Sequence, residues 1–514
     1  MTAAAGANAP LRRALVTVCA MSATILQALD ITIANVALPY MQGSLSASLD
    51  QVNWVLTSYI VAAAIMTAPV GWLSDRFGRK KLLIVCVAGF TSASFLCALA
   101  QSIEQMVLYR LLQGMFGAAL VPLSQSVMLD AYPAEQRGHA MAIWGMGVML
   151  GPIMGPTLGG FLTETYSWHW VFLINLPIGI LTIIGLLIFM DETRPKTHLR
   201  FDWLGFLALA LGIGSLQLLL DRGEQVGWFG SSEIVVEAIL SVAGFYFFFA
   251  HSLTTREPFI RFAIFRDRNF LTGCVFMVVI GIALFATMAL VTPFMQTMLG
   301  YPILTAGYLL GSRGLGTLIS MMAVSRLLQV VEPRWLILCG LTLTAGTLHT
   351  MIGFTGNTSQ HTIVVTSVIQ GFGIGLVFVP LNTVAFASLP PHLRTDGTSI
   401  LTLVRNVASS IGISVVIANL SRWTTLNHAQ LSEHITPFND ALRAPDVASA
   451  LDLSTETGRA IADNLLTQQA AFIAYGNDFT LLMWLTIAAI PLVAGIQSVR
   501  HRLGRPDTPA HALD

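Results

Sequence analysis

Fourteen apolar stretches run along the chain, beginning near Ala14, Val52, Leu82, Glu104, His139, His169, Trp203, Glu233, Phe270, Ile303, Trp335, His361, Thr398 and Asp478. Each supplies the roughly 20 mainly apolar residues that a helix needs to cross a bilayer. The pattern predicts an all-α integral membrane protein with 14 transmembrane helices. The first stretch, Ala14 to about Leu38 behind Arg12 and Arg13, is longer than the apolar region of a secretory signal and reads as a retained membrane helix. One polar segment, about 423–477, is long enough to hold structure of its own. Within it Ala460-Ile461, Leu465-Leu466 and Phe472-Ile473 recur at helical spacing, which fits either a lid or a helix that docks a partner.

Composition narrows the class. The 514 residues are 54% hydrophobic and 11% charged, against about 25% charged in soluble domains, so a water-soluble protein is excluded. The 27 basic and 27 acidic residues cancel, leaving no basic excess to track phosphate backbones, so no nucleic acid partner is expected. Cys19, Cys86, Cys97, Cys274 and Cys339 all fall in apolar runs and read as small buried residues. There is no Gly-Lys dipeptide for an ATP-binding loop and no His-Glu-x-x-His for zinc. No metal, cofactor or catalytic cluster is expected, and the driving force must come from a gradient or a partner.

Charge placement tests the topology, because Lys and Arg accumulate in short cytoplasmic loops. With both termini cytoplasmic, the outer segments hold only Arg222, Arg422, Arg443 and Arg459. Arg110, Arg313 and Arg405 lie within spans, and all other basic residues fall inside. An internal repeat accompanies this order. Arg110-Leu-Leu-Gln113-Gly114, then Val121-Pro122-Leu123, is echoed by Ser367-Val-Ile-Gln370-Gly371, then Val379-Pro380-Leu381, and Pro39-Tyr-Met-Gln42 by Pro293-Phe-Met-Gln296. Such repeats build transporters from two related halves. The expected organisation is an N-terminal six-helix bundle at 1–190, a linker with two extra transmembrane helices at 191–269, and a C-terminal six-helix bundle at 270–514 that includes the outer segment at about 423–477.

Ionisable groups in hydrocarbon are costly and mark function by default; here they are Asp30, Arg110, Arg313 and Arg405. Asp30 sits one helical turn from Gln27 and is a candidate proton carrier; the alternative is a carboxylate that only holds helices together. Arg110, Gln113, Gly114 and Gly117 share one face. In the repeat, Leu284 stands at the place of Asp30 and Ser367 at that of Arg110, so only the first half has this acid and this base. Arg313 and Arg405 either contact anionic substrate groups or brace helices. Gly147, Gly151, Gly155 and Gly159 recur every four residues with Pro152 and Pro156 between them, a stripe that lets two helices approach closely.

Gly71-Trp-Leu-Ser-Asp75-Arg76-Phe-Gly78-Arg79-Lys80-Lys81, placed in the loop after the second span, resembles the signature of the major facilitator superfamily. Gly155-Pro156-x-x-Gly159-Gly160 resembles its antiporter motif. Leu29-Asp30-x-Thr32-Ile33-x-Asn35-Val36-Ala37-Leu38-Pro39 is similar to the motif of its fourteen-span drug:proton antiporters, and the likeness is closest to EmrB-type multidrug exporters. It continues through Trp170-Val-Phe-Leu-Ile-Asn175-Leu-Pro177, Leu220-Asp221-Arg222-Gly223 and Pro437-Phe438-Asn439. Two departures stand out: the echo of the gate motif near Ser325-Arg326 lacks an Asp, and Ser409 stands where a Gly is expected.

The resemblance implies proton-coupled efflux of hydrophobic toxic compounds across a bacterial inner membrane. The pump would work with a periplasmic membrane-fusion protein and an outer-membrane channel. By the same likeness Asp30 and Arg110 serve proton coupling, while Gly71, Asp75, Arg76, Gly78 and Arg79 latch the inner gate. Gln27, Asn35, Gln113, Arg313 and Arg405 are the candidates for substrate contact, and Gly147, Gly151, Gly155, Pro156, Gly159 and Gly160 for helix packing. The alternative is an exporter dedicated to one metabolite such as a fatty acid or siderophore.

Overall fold

A computed structural model describes residues 9–496 except 194, 197–199, 256–257, 437–438 and 440–452. The sequence readings on Pro437, Phe438, Arg194, Arg256, Arg443 and the two chain ends lie outside the described residues. Every described element is helical. The first nine are α1 (Ala9–Ser44), α2 (Leu49–Thr67), α3 (Val70–Phe77), α4 (Arg79–Ala98), α5 (Ile103–Gly117), α6 (Leu120–Ala131), α7 (Arg137–Thr165), α8 (Trp170–Leu173) and α9 (Asn175–Phe189). They are followed by α10 (Trp203–Arg222), α11 (Ser232–Thr254), α12 (Arg268–Pro293), α13 (Ile303–Leu327), α14 (Pro333–Ile352), α15 (Gln360–Ala387), α16 (Arg394–Ser432) and α17 (Glu456–Ala489).

Local chemistry sets the ends. Ser48 caps α2 reciprocally: its hydroxyl accepts from Gln51 N–H at 3.2 Å, and the Gln51 side chain accepts from Ser48 N–H at 2.9 Å. Ser102, Asp202, Asp267, Ser359 and Thr455 cap α5, α10, α12, α15 and α17 without the reciprocal bond, each accepting a first-turn N–H that would otherwise lack a partner.

Among the described residues twelve helices are long and apolar enough to cross a membrane, and the pair Gln51–Thr67 and Val70–Phe77, bent by 58°, makes a thirteenth if it is one span. The 25-residue α13, whose apolar run is interrupted by Ser312, Arg313 and four glycines, is not among these but has the length to cross, so the fold is compatible with fourteen spans. Exposed Leu181, Val242 and Leu253, at 70, 71 and 77%, belong on a lipid-facing surface.

Helix α1 packs on α7, α2 on α5, and α4 on α5 and α9. Among the later helices α12 packs on α16, α13 and α14 on α15, and α17 on α16 and α14. The two groups meet where α7 lies along α13 and where α6 touches α16. Helix α11 is peripheral, with 22% of its apolar window buried against 67% for α12 and α15. Helix α10 instead bridges the groups. Gln217 donates to Ser410 Oγ at 2.9 Å and Ser414 donates to Leu220 C=O at 2.9 Å, while Thr57 of α2 bonds Asp221.

The structure corrects several sequence readings. The last helix does not start at Asp478: α17 begins at Glu456, and the apolar pairs at 460–473 belong to its first half, so much of the 423–477 segment is a helical continuation of two spans. Gly71, Asp75 and Arg76 lie in the short helix α3, not a loop, and only Gly78 breaks the chain, at φ +89°. Pro39 and Pro293 lie inside helices instead of after them. Cys339 is exposed, not buried.

Candidate functional site

Five helices converge on Asp30, which is fully buried. Arg110 Nη1 donates to its Oδ2 at 2.6 Å, Gln113 Nε2 to its Oδ1 at 2.8 Å, and Asn175 Nδ2 to the same Oδ1 at 3.1 Å. Arg110 makes further contacts, although its Nη2 has no hydrogen-bond partner among the described residues. Its Nη1 also reaches Gln113 Oε1 at 2.8 Å, its Nε donates to Val55 C=O at 3.0 Å, and its guanidinium stacks 4.2 Å from the Tyr59 ring centroid. Asn175 donates further to Ser94 Oγ at 3.0 Å, and Ser94 donates to Phe172 C=O at 2.9 Å.

Small residues make this convergence possible. A Cβ added at Gly114 would lie 2.4 Å from Tyr59 C=O, so α5 and α2 meet only because the side chain is absent. The α7 stripe acts likewise on α1: a Cβ at Gly151 would lie 2.2 Å from the Ala28 backbone, at Gly155 2.0 Å from Thr32 Oγ1, and at Gly159 3.0 Å from Ile33. At Gly147 the neighbour is Met21, and Gly160 is buried. Thr32 closes the seam by donating to Gly151 C=O at 3.0 Å.

The other sequence candidates divide. Gln27 is buried, but its Oε1 accepts from Val121 N–H at 3.3 Å, at the break between α5 and α6, and not from the Asp30 cluster. Asn35 is exposed and takes no part in the cluster. Arg313 and Arg405 are buried far from any carboxylate partner among the described residues. Arg313 donates to Leu284 C=O at 3.5 Å, Arg405 to its neighbour Asn406 at 3.4 Å, and the Nε of each has no partner. Both flank one stretch of α12, since Gly281 lies against the Arg405 carbonyl.

A second constellation lies at the end of the bundle that carries Asp75. Lys196 and Arg261 pair with Asp75 at 2.8 and 3.1 Å, and Arg261 also reaches Asp396 at 3.8 Å. Asp130 takes Arg394 at 2.6 Å and also pairs with Arg79. Gly71 presses on Asp396, where a Cβ would meet the Asp396 Cα at 3.0 Å. Ser126 and Thr395 hydroxyls lie 2.9 Å apart, and Gln125 donates to Asn382 at 2.8 Å. Arg76 forms no ion pair among the described residues, and its Nη1 is buried without a partner. A cavity of about 1050 Å3 opens at this same end between α6 and α7 on one side and α13 to α15 on the other. Tyr132, His139, Met146, Met322 and Arg326 line it, and it does not reach the Asp30 cluster.

Sequence reasoning missed Asn175, Ser94 and Tyr59 as partners of the acid–base pair, and Asp130, Lys196, Arg261, Arg394 and Asp396 as partners of the gate motif. Asn175 stood inside a quoted motif; the rest carry no local signal. It also missed Asp478, which lies mid-helix in α17 and is 1% exposed.

Comparison with known proteins decides the family. The family model of the Major Facilitator Superfamily matches residues 20–413. The chain belongs to the major facilitator superfamily. It is 34% identical over 433 residues to multidrug export protein EmrB of Escherichia coli (strain K12), covering 84% of each chain. It is 32% identical over 478 residues to fatty acid resistance protein FarB of Neisseria gonorrhoeae, covering 92% of this chain and 93% of that one. Among solved structures, the human organic anion transporter MFSD10 superposes with a TM-score of 0.57 at 14% identity, over 93% of this chain and 99% of that one. This superfamily member is therefore a multi-pass membrane transporter and not an enzyme.

Proposed function

We propose that this superfamily member is a proton-coupled antiporter that exports hydrophobic toxic compounds across a bacterial inner membrane. The observation that carries the reading is the buried Asp30 carboxylate, held by Arg110, Gln113 and Asn175 and facing one cation. A carboxylate and a guanidinium taken out of water together are stable only as a pair. Protonation of Asp30 removes the anion and releases Arg110, so one proton changes how α1 and α5 hold each other. Substrate arrival and proton release then reverse the step. Each charge crossing is worth about 2.3 kcal/mol per 100 mV, enough for uphill export.

Two bundles at 1–190 and 270–514 would rock about this step, with 191–269 between them. The ion pairs around Asp75, Asp130 and Asp396 would latch the cytoplasmic gate, with Gly71, Gly78 and Arg79 shaping it. The EmrB relative is named as a multidrug exporter, which supports efflux here. The family likeness supports work with a periplasmic membrane-fusion protein and an outer-membrane channel, and the helical extensions of α16 and α17 offer the surface for it.

A second reading, export of one acidic metabolite, is favoured by the buried Arg313 and Arg405 without carboxylate partners and by the fatty acid resistance relative. Proteoliposomes holding wild type or Asp30→Asn, with a pH dye and a panel of hydrophobic cations and weak acids, test both readings. Substrate-driven proton movement in wild type and none in the variant is the expected result. Equal movement in both removes Asp30 from coupling.

A further inference from the structure

The acid–base pair accounts for the buried charge among α1–α9, but the later helices hold a buried acid of their own. Asp478 lies in α17 and is 1% exposed, and neither of its carboxyl oxygens has a hydrogen-bond partner among the described residues. Its own turn carries Tyr475 and Phe479, and the surrounding cluster includes Leu290, Phe294, Leu348, Phe354, Val416 and Leu482. Its neighbours place it toward the end of the bundle where α12 and α14 finish: Phe479 packs 6.4 Å from Phe354, which lies beyond the end of α14, and Tyr475 packs against Phe294, just beyond the end of α12.

The charged and titratable groups on the elements around it do not neutralise it. Helix α12 has no charged side chain between Arg268 and Pro293, and its Cys274 is remote in sequence. Helix α14 brings Arg334, Cys339 and His349, of which His349 is exposed. Helix α16 brings Arg394, Asp396, Arg405, Arg422 and His428, and α17 itself Glu456, Arg459, Asp463 and Tyr475. Arg394, Asp396, His428 and Asp463 are paired elsewhere, and none of the basic groups forms an ion pair with Asp478. An ionised carboxylate taken from water into such surroundings unpaired is far less stable than its neutral form. The contrast with Asp30, which accepts three donors, is complete.

The repeat gives this acid a place. In α9 the buried positions Asn175, Gly179, Thr182 and Leu186 fall at the same spacing as Tyr475, Phe479, Leu482 and Thr486 in α17. Tyr475 lies on the buried face of α17 as Asn175 lies on that of α9, and Asp478 follows Tyr475 by three residues. The first half carries its acid on its first span, and the second half carries one on its last. Beside it the chain after α12 winds into a single π-helical turn, Phe294–Met298, whose Phe294 ring packs 5.2 Å from Tyr475. Such turns interrupt the regular backbone ladder and are places where packing can change.

We propose that Asp478 is a second proton-binding site, protonated in this conformation and exchanging its proton with water when the helices around the Phe294–Met298 turn separate. The step is an acid dissociation: the carboxyl O–H bond breaks, the electron pair stays on oxygen and the proton leaves to water. Its part in transport rests on the antiport reading above and raises the coupling from one proton per substrate to two.

Infrared spectra of the full chain in lipid nanodiscs, titrated with pH, test the protonation directly. Wild type is expected to show the carbonyl stretch of a carboxylic acid free of hydrogen bonds. The band should vanish in Asp478→Asn and in Asp478→Leu, the second variant serving if the first fails to fold, and should survive in Asp30→Asn. Persistence of the band in the Asp478 variants, or its loss only in Asp30→Asn, overturns the proposal. Proton counting in proteoliposomes with ethidium or laurate as the exported probe tests the coupling. Two protons per substrate in wild type and one in Asp478→Asn is expected, and equal counts overturn the transport role. No proton movement in wild type, with the band behaving as expected, sinks the antiport reading and leaves the protonated Asp478 standing.

Discussion

Replacing Asp30 by Asn removes the anion facing Arg110 and sets an amide NH2 among three donors, Arg110 Nη1, Gln113 Nε2 and Asn175 Nδ2. Asparagine keeps the shape but can accept on only one oxygen, so at least one donor loses its partner and the buried guanidinium loses its counter-charge. Removing one member of a buried pair costs about 3–5 kcal/mol, and a central value of about 4 kcal/mol is nearly a thousandfold in the folding equilibrium. Arg110→Gln should cost a similar amount, because Asp30 then loses its counter-charge and the Val55 carbonyl loses its donor. The double variant is neutral, so it should recover about 2–3 kcal/mol of the summed loss, the coupling expected of residues in direct contact. Equilibrium unfolding in mixed micelles, followed through the ten tryptophans, measures all three. Single costs below about 1 kcal/mol that simply add would refute the view that these residues form one closed unit.

Further outcomes follow from other contacts. Gly151→Val drives a branched side chain into the Ala28 backbone, 2.2 Å from where its Cβ would be. It should destabilise by more than the about 1–3 kcal/mol of ordinary overpacking, and normal yield and melting of the purified variant would count against the α1–α7 seam. Cysteines at Ser126 and Thr395, whose hydroxyls are 2.9 Å apart, should cross-link readily, stop transport when oxidised and recover on reduction; unimpaired transport by the cross-linked form would show that this end need not open. Arg313→Gln and Arg405→Gln should each weaken binding of anionic probes by about 1.5–3 kcal/mol, the worth of a charge-assisted hydrogen bond, and leave cations nearly unchanged. Equal losses for both probe types, measured by isothermal titration, would assign the two arginines to bracing. Asp75→Asn should free Lys196 and Arg261 and raise accessibility of a cysteine at Ser126 to a thiol reagent, an effect whose absence rejects the latch.

The apolar rhythm was legible without coordinates because a membrane span is a local property: about 20 apolar residues in succession either exist or do not. Asp30 and Arg110 were legible for the same reason, since a charge inside an apolar run stands out wherever the chain folds, and Gln113 was legible by its helical spacing from Arg110. The glycine stripe of α7 was visible as spacing, but its partner α1 was not. Asn175, Ser94 and Tyr59 are ordinary polar residues in sequence, and only packing brings them to the acid from three other helices. Asp478 was misread because the polar residues before it looked like the end of a loop, and the length of α17 depends on its contacts with α16 and α14. The gate motif told of Asp75 and Arg79, yet their partners Lys196, Arg261 and Asp130 lie 51 to 186 residues away. Hydropathy and spacing are written along the chain; which charges meet, and which stay unpaired in the interior, is set when helices distant in sequence pack and exclude water between them.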